Sequence, residues 1–312
     1  MVPYARQHTL SHAVTCAGIA LHSGSDVHMT LRPAAAGTGI LFRRIDVAPE
    51  AADIPARFDQ VGDCTLSTSI QNASGTRIIT IEHLMAALSG AGIDNLVVEL
   101  DGPEVPAMDG SAAPFLFLIE AAGLVAQDAP RRAIRIMQPV RVVDGARSVE
   151  LVPDDGFSVE FEIDFASAAV ARQAGVYDLR ATGFKAELSR ARTFGFRHEI
   201  DWMRGQGLAL GGSLDNAVVV DGDVVMNEGG LRYADEFVRH KALDAVGDLY
   251  LAGAPIIGRF RGQRSGHALN NRLLRSLFAT PGAFVWTTSQ APLGRGAGAQ
   301  ILEMSAAAPA SA

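Results

Sequence analysis

Residues 237–248 read Phe-Val-Arg-His-Lys-Ala-Leu-Asp-Ala-Val-Gly-Asp. On a helix of 3.6 residues per turn, His240, Asp244 and Asp248 stand at i, i+4 and i+8 and form one polar row. Val238, Ala242, Ala245, Val246 and Leu249 recur at helical spacing on the other side, so the helix is expected to pack into a core with its polar row directed elsewhere. An imidazole one turn from a carboxylate can hold a metal. It is equally the ordinary solvated face of an amphipathic helix, so the metal reading needs partners from other segments.

Working outward from this helix, the preceding segments alternate apolar and polar residues at Ile134–Met137, Val140–Val143, Val149–Val152 and Ser158–Ile163, the pattern of half-buried strands. Asp144-Gly145 and Asp221-Gly222 are tight-turn signals, the second joining Ala217–Val220 to Val224–Met226. A strand at Ile256–Arg261 and a helix from His267 to about Phe278 follow, with Ser265 as expected N-cap. The first half carries strands at Thr9–Val14 and Val27–Leu31, a helix from Ile81 to Ser89 capped by Thr80, a strand at Asn95–Leu100 and a helix from Ser111 to Ala122 ended by Gly123. Gln127–Arg132, polar and holding Pro130, is the expected linker. Both halves run strands, helix, strand, helix. Element order therefore suggests a duplicated α+β unit, with domains at 1–127 and 128–304 and an Ala-rich tail at 305–312 expected to be disordered.

A chain of 312 residues is long enough for two cores, and 48% apolar content places it among globular proteins. The net charge of −7 argues against nonspecific nucleic-acid binding and leaves any anionic substrate to local arginines or lysines. Cys16 and Cys64 are too few for a disulfide framework, and the N-terminus lacks the apolar core of a signal peptide. The longest apolar stretch, Phe115–Ala126, is broken by Glu120. A cytoplasmic, monomeric protein with no membrane span is expected.

The chemistry expected of the first half lies in Thr80-Ile-Glu-His83, which puts Glu82 and His83 in a first helical turn. If His83, His240 and Asp244 meet, two imidazoles and one carboxylate leave a fourth tetrahedral position open, the arrangement of catalytic rather than structural zinc. Glu82 would then be the general base for a water made acidic by the metal. His267 would supply the proton for the leaving group. It opens its helix, where the dipole disfavours imidazolium, so an opposing carboxylate is required and Asp248 is the expected one. Capping of the helix by His267 is the competing structural reading. Lys241 can stabilise developing negative charge, although alone it reads as a solvated lysine. His8, His12, His28 and His198 read as structural or surface residues, and the Gly18–Gly24 segment around His22 reads as a tight bend. No Walker-type or dinucleotide glycine pattern is present, so phosphate recognition would have to use side chains.

Taken with Gly18–Gly24, Gly92-Ile-Asp-Asn95, Glu104-Val-Pro-Ala-Met-Asp-Gly-Ser-Ala112, Ser189-Arg-Ala-Arg-Thr-Phe-Gly-Phe196, Gly211-Gly-Ser213, Phe237-Val-Arg-His240 and Ser265-Gly-His-Ala-Leu-Asn270, these segments resemble one family over nearly residues 4–302. It is the zinc-dependent UDP-3-O-acyl-N-acetylglucosamine deacetylases of lipid A biosynthesis. The resemblance implies an α+β fold of two similar domains, each a layered β-sheet/α-helix sandwich with a small insertion and with helices packed between them. It implies Zn2+ on His83, His240 and Asp244, Glu82 as base, and His267 as acid positioned by Asp248. Thr193 and Lys241 would assist the oxyanion or hold substrate, and Phe194 would lie against the sugar. Arg147 and Arg264 would face the diphosphate, where a lysine is expected at both positions, and arginine also binds phosphate well. Asp164 and Phe165 would meet the uridine. Ile200, Met203, Leu208 and Leu214, with Leu210 and Val219, would line an apolar acyl passage built from Phe196–Val219, and ordinary core is the other reading of each. Ser67 stands where some members have a cysteine near the metal, a change bearing on sensitivity to excess zinc, and Glu199 where others have Asp. A zinc amidase or esterase for another acylated nucleotide sugar and a catalytically silent binding protein on the same fold are the rival readings. The presence of both Glu82 and His267 argues against the silent one.

Overall fold

The computed structural model describes residues 5–180 and 183–288. In chain order the first half contains β1 (Arg6–Leu10), β2 (Val14–Ile19), β3 (Asp26–Pro33), β4 (Ile40–Arg44), β5 (Asp53–Pro55), β6 (Ile70–Gln71), β7 (Arg77–Ile78), α1 (Glu82–Ala91), β8 (Leu96–Leu100), α2 (Ala113–Ala122) and β9 (Leu124–Pro130). The second half contains β10 (Arg132–Ile136), β11 (Val140–Asp144), β12 (Arg147–Val152), β13 (Phe157–Asp164), β14 (Arg172–Asp178), β15 (Phe194–Phe196), α3 (Arg197–Gly205), β16 (Val218–Asp221), β17 (Val224–Val225), α4 (Glu236–Tyr250), β18 (Ile256–Gln263), α5 (His267–Ala279) and β19 (Phe284–Thr288).

The architecture is α+β and duplicated. The first sheet has the order β2-β3-β8-β4-β5, antiparallel throughout except for the parallel pair β4/β8. In the second sheet β11 pairs with β12, β12 with β18, β18 with β13 and β13 with β14, again antiparallel except for β13/β18. These five strands pair in the same order as the first sheet, with α1-β8-α2 equivalent to α4-β18-α5, and β10 and β19 extend the second sheet, β10 pairing parallel to β18 and antiparallel to β19. Each unit also carries an insertion in the same place, between its last edge strand and its first helix. In the first unit the insertion holds the β6/β7 hairpin, and in the second it holds the small β15-β16-β17 sheet and α3. Element order alone suggested this repeat, and strand pairing supplies it.

Helices of both units meet between the sheets. α1 packs along α4, α2 contacts α1 and β2, α4 contacts β13 and β14, and α5 contacts β11 and β12. The closeness of α1 to α4 depends on Gly247, because a Cβ there would stand 2.0 Å from the Glu82 carbonyl oxygen. A mid-helix glycine disfavours the helix, and here it allows two backbones to touch.

The hairpins at Asp144-Gly145 and Asp221-Gly222 form as expected, with both glycines at φ +59°. Four local expectations fail. Thr9–Val14 is not one strand: Thr9 and Leu10 end β1, residues 11–13 bend the chain, and Val14 opens β2. Gln127–Arg132 is strand backbone for most of its length, because Leu124–Leu10 and Arg6–Pro130 pair in the β1/β9 ladder. Ser265 does not cap α5: Gly266 occupies the cap position, and Ser265 Oγ has no hydrogen-bond partner among the described residues. Thr80 does not cap α1 either. Ile81 stands there, and Thr80 takes φ +59° with its hydroxyl donating to Glu104. The tail at 305–312 lies outside the described residues, and no described helix is long and apolar enough to cross a membrane.

Candidate active site and metal centre

The polar row of α4 is not a solvated face. His240, Asp244 and Asp248 are 2–3% exposed, because α1 and α5 close over that side. His83, from the first turn of α1, joins His240 and Asp244, and one ligand atom of each lies within 4.8 Å of the others. His240 Nε2 is 3.2 Å and His83 Nε2 3.6 Å from Asp244 Oδ1.

The donor chemistry fits a cation. His240 Nδ1 is bonded to the Ala191 carbonyl oxygen at 3.1 Å, and only a protonated nitrogen can make that bond, so in the neutral ring the lone pair is on Nε2. Burial pulls His240 down to about 3 in spite of Asp244, which keeps the ring neutral. Burial opposes the charge on Asp244, yet the cationic Lys241, whose Nζ donates to Asp244 Oδ2 at 2.7 Å, helps hold it well below the usual carboxylate range. Asp244 Oδ1 is buried without a hydrogen-bond partner among the described residues. Such an oxygen, facing an imidazole lone pair, is strongly disfavoured unless a cation sits between them. Neutral imidazole and ionised carboxylate are the forms a metal binds.

Two proton-transfer groups flank the cluster. Glu82 is buried, accepts the Thr68 N–H on Oε2 at 3.0 Å, and leaves Oε1 3.8 Å from His267 Nε2. Burial raises its pKa, although His267 and His83 oppose the shift. His267 Nδ1 donates to Asp248 Oδ2 at 2.9 Å, the pairing expected from the sequence. Burial pulls His267 down, but Asp248 first, then Glu82, outweigh it and raise the group to about 9.

The cluster opens into a cavity of about 490 Å³. Glu82, His83, His240, Lys241, Asp244 and His267 line its polar end, and Thr193, Phe194, Ile200, Met203, Leu214 and Val219 its wall. Of the other residues singled out from the sequence, Leu208 and Leu210 are not on that wall, and Asp248 stands behind His267. Arg147, Arg264, Asp164 and Phe165 also lie outside it. Arg147 pairs with Asp144 at 2.7 Å, Arg264 with Asp164, and the Phe165 ring packs edge-on against Phe194 at 5.8 Å.

A family model described as UDP-3-O-acyl N-acetylglycosamine deacetylase matches residues 7–279. The chain belongs to this family. Among curated relatives, the UDP-3-O-acyl-N-acetylglucosamine deacetylase of Vibrio parahaemolyticus is 52% identical over 291 residues, covering 93% of this chain and 95% of the relative. The proteins of that name from Idiomarina loihiensis and Vibrio cholerae are 51% identical over 285 residues and 50% identical over 291 residues, covering 91% and 93% of this chain and 93% and 95% of the relatives. As a member of the family, the chain is an enzyme.

Sequence reasoning missed several residues of this deacetylase's site. Thr68 and Asn270 hold Asp248, the first through its hydroxyl at 2.5 Å and the second through its amide at 2.8 Å. Glu104 is fully buried and accepts the backbone N–H groups of His22 and Ser23 together with the Thr80 hydroxyl. It thereby ties the Gly18–Gly24 bend to the residue that precedes α1. His22 lines the cavity, and its two ring nitrogens have no partner among the described residues. The available signal was the unusual company of these residues, a carboxylate and a histidine beside glycines and prolines, but their partners stand from 22 to 180 positions away.

Proposed function

We propose that the protein removes the N-acetyl group from UDP-3-O-acyl-N-acetylglucosamine by zinc-dependent hydrolysis, giving the free amine and acetate in lipid A biosynthesis in the cytoplasm. Beyond family membership, the observation that carries this reading is the buried His83–His240–Asp244 cluster, flanked by Glu82 and His267 at the closed end of a cavity with apolar walls.

Zinc held by His83, His240 and Asp244 would supply Lewis-acid polarisation of the amide carbonyl and of the attacking water. Glu82 takes the water proton at Oε1, since Oε2 is engaged by Thr68. Its raised pKa suits a base that must also release that proton. As the C–N bond breaks, His267 Nε2 delivers a proton to the departing nitrogen, while Asp248 holds Nδ1–H and fixes the ring. Lys241 and the Thr193 hydroxyl face the developing oxyanion. Phe194 offers its ring to the sugar, and Ile200, Met203 and Leu214 receive the acyl chain. Arg147 and Arg264, with Asp164 and Phe165, form the nucleotide end, and their present carboxylate partners would exchange for phosphate when substrate arrives. Acetate release from UDP-3-O-acyl-N-acetylglucosamine by the protein as isolated, after chelation and after return of one equivalent of zinc tests the reading. Activity lost and then regained supports it, and a zinc-loaded protein that releases nothing overturns it.

A further inference from the structure

We infer that Thr68 is a positioning residue that sets the base and the acid of this site against each other across the two halves of the fold, an inference that rests on the roles proposed for Glu82 and His267. Thr68 is 2% exposed and lies in the insertion of the first unit. All three of its polar groups are used, each on a different part of the machinery. Its N–H donates to Glu82 Oε2 at 3.0 Å, its carbonyl accepts the N–H of Ile81, the cap residue of α1, at 3.3 Å, and its hydroxyl donates to Asp248 Oδ1 at 2.5 Å. The first two contacts stay within the first unit and fix how Glu82 leaves α1. The third crosses to α4.

The consequence is geometric. Asp248 Oδ2 receives His267 Nδ1 and the Asn270 amide, both from α5, so without Thr68 the carboxylate would be held from one side only and could turn about its χ2. With the hydroxyl on Oδ1, the carboxylate plane is fixed and the His267 ring with it. Nε2 is then kept 3.8 Å from Glu82 Oε1. A single residue therefore spaces the group that takes the proton of the attacking water from the group that gives one to the departing nitrogen. A hydrogen bond to a charged group of this kind corresponds to about 10- to 100-fold in rate when its loss is felt in the transition state.

The test compares zinc-loaded wild type with Thr68→Val, Thr68→Ala and Thr68→Ser, each placed in the wild-type and in the Asp248→Ala background. Acetate release gives kcat and KM, and metal content and melting temperature are read for every protein. Thr68→Val is expected to lose about 10- to 100-fold in kcat with KM within about threefold, and Thr68→Ser, which keeps the hydroxyl, to stay within about threefold of wild type. In the Asp248→Ala background the Thr68→Val loss should shrink to about twofold or less, because the hydroxyl acts through that carboxylate. Full zinc occupancy throughout is expected. If Thr68→Val fails to fold, Thr68→Ala carries the same comparison. Unchanged kcat in the folded hydroxyl-less variant, equal losses in both backgrounds, or a serine variant as slow as the valine one overturns the inference. Glu82→Gln and His267→Gln run alongside keep the two levels separate: should these retain full activity, the assignment of base and acid fails, whereas their inactivity beside an unaffected Thr68→Val removes Thr68 alone.

Discussion

The helix junction of α1, α4 and α5 and the strand surface of the second unit both set carboxylates against nitrogen bases, histidines at the first and arginines at the second, and use them in opposite ways. At the junction Glu82, His240, Asp244, Asp248 and His267 are all below 10% exposed, each within 4 Å of another titratable group. On the strands, Arg147–Asp144, Arg172–Glu162, Arg261–Glu150 and Arg264–Asp164 make pairs as short in water-exposed positions. Water and salt screen the second set, so each pair contributes about 0–1 kcal/mol to stability and its members remain available for a ligand. At the junction burial removes that screening, and burial together with nearby charges raises Glu82 and His267 and lowers His240. Distance between partners does not separate the two regions; access to water does.

The largest effect belongs at the junction. Asp244→Asn removes the charge that faces the two imidazoles, and the purified variant is expected to hold almost no metal and to release no acetate. Near-stoichiometric zinc in that variant would mean that Asp244 is not needed to hold the metal. Glu82→Gln keeps shape and metal but no base, and a kcat loss of about 10²- to 10⁴-fold is expected with zinc content unchanged. Next comes Gly247→Ala, which thrusts a methyl at the Glu82 carbonyl oxygen. Thermal unfolding should show about 1–3 kcal/mol of lost stability, with lowered activity because Glu82 and His83 move together.

In the metal-free protein His267 is raised to about 9, so its ring carries two protons below that pH and loses one above it. Asp248→Asn removes the main charge that raises it and leaves burial, which lowers it, so the variant should titrate at distinctly lower pH by imidazole NMR. A midpoint unmoved by the substitution would mean that Asp248 does not set the ring's charge. The smallest expected effect is at the surface. Arg264→Ala should change unfolding stability by no more than about 1 kcal/mol, while KM for the nucleotide-bearing substrate rises. A stability loss as large as that of Gly247→Ala, or a KM that does not move, would show that the exposed pair is a structural element.

Much of this was legible from residue order. The i, i+4, i+8 row of α4 and the Thr80–His83 segment offered residues able to hold a metal, because helical periodicity is a local property, and the family resemblance joined them into one candidate cluster. The two Asp-Gly hairpins were legible for the same reason. Gln127–Arg132 was misread because polarity and Pro130 describe a loop and an edge strand equally, and only the β1 partner distinguishes them. Thr80 was misread because Thr before Glu-His suits a helix cap, whereas the left-handed φ it adopts is held by Glu104, 24 residues on. Such a φ on a β-branched residue is uncommon and belongs to sites where the surroundings enforce it.

By itself the sequence determined the elements, the residue types able to bind a metal or move a proton, and the kinship of the chain, since each follows from spacing along the backbone or from ordered similarity. Only the tertiary structure decided that five strands of each unit share one order, that Thr68 reaches Asp248 across 180 positions, and that the polar row of α4 is buried. The physical reason is that burial and hydrogen bonding depend on which surfaces touch. The contact that matters most here, α1 against α4, turns on the absence of one side chain at Gly247, whose effect no local pattern reveals.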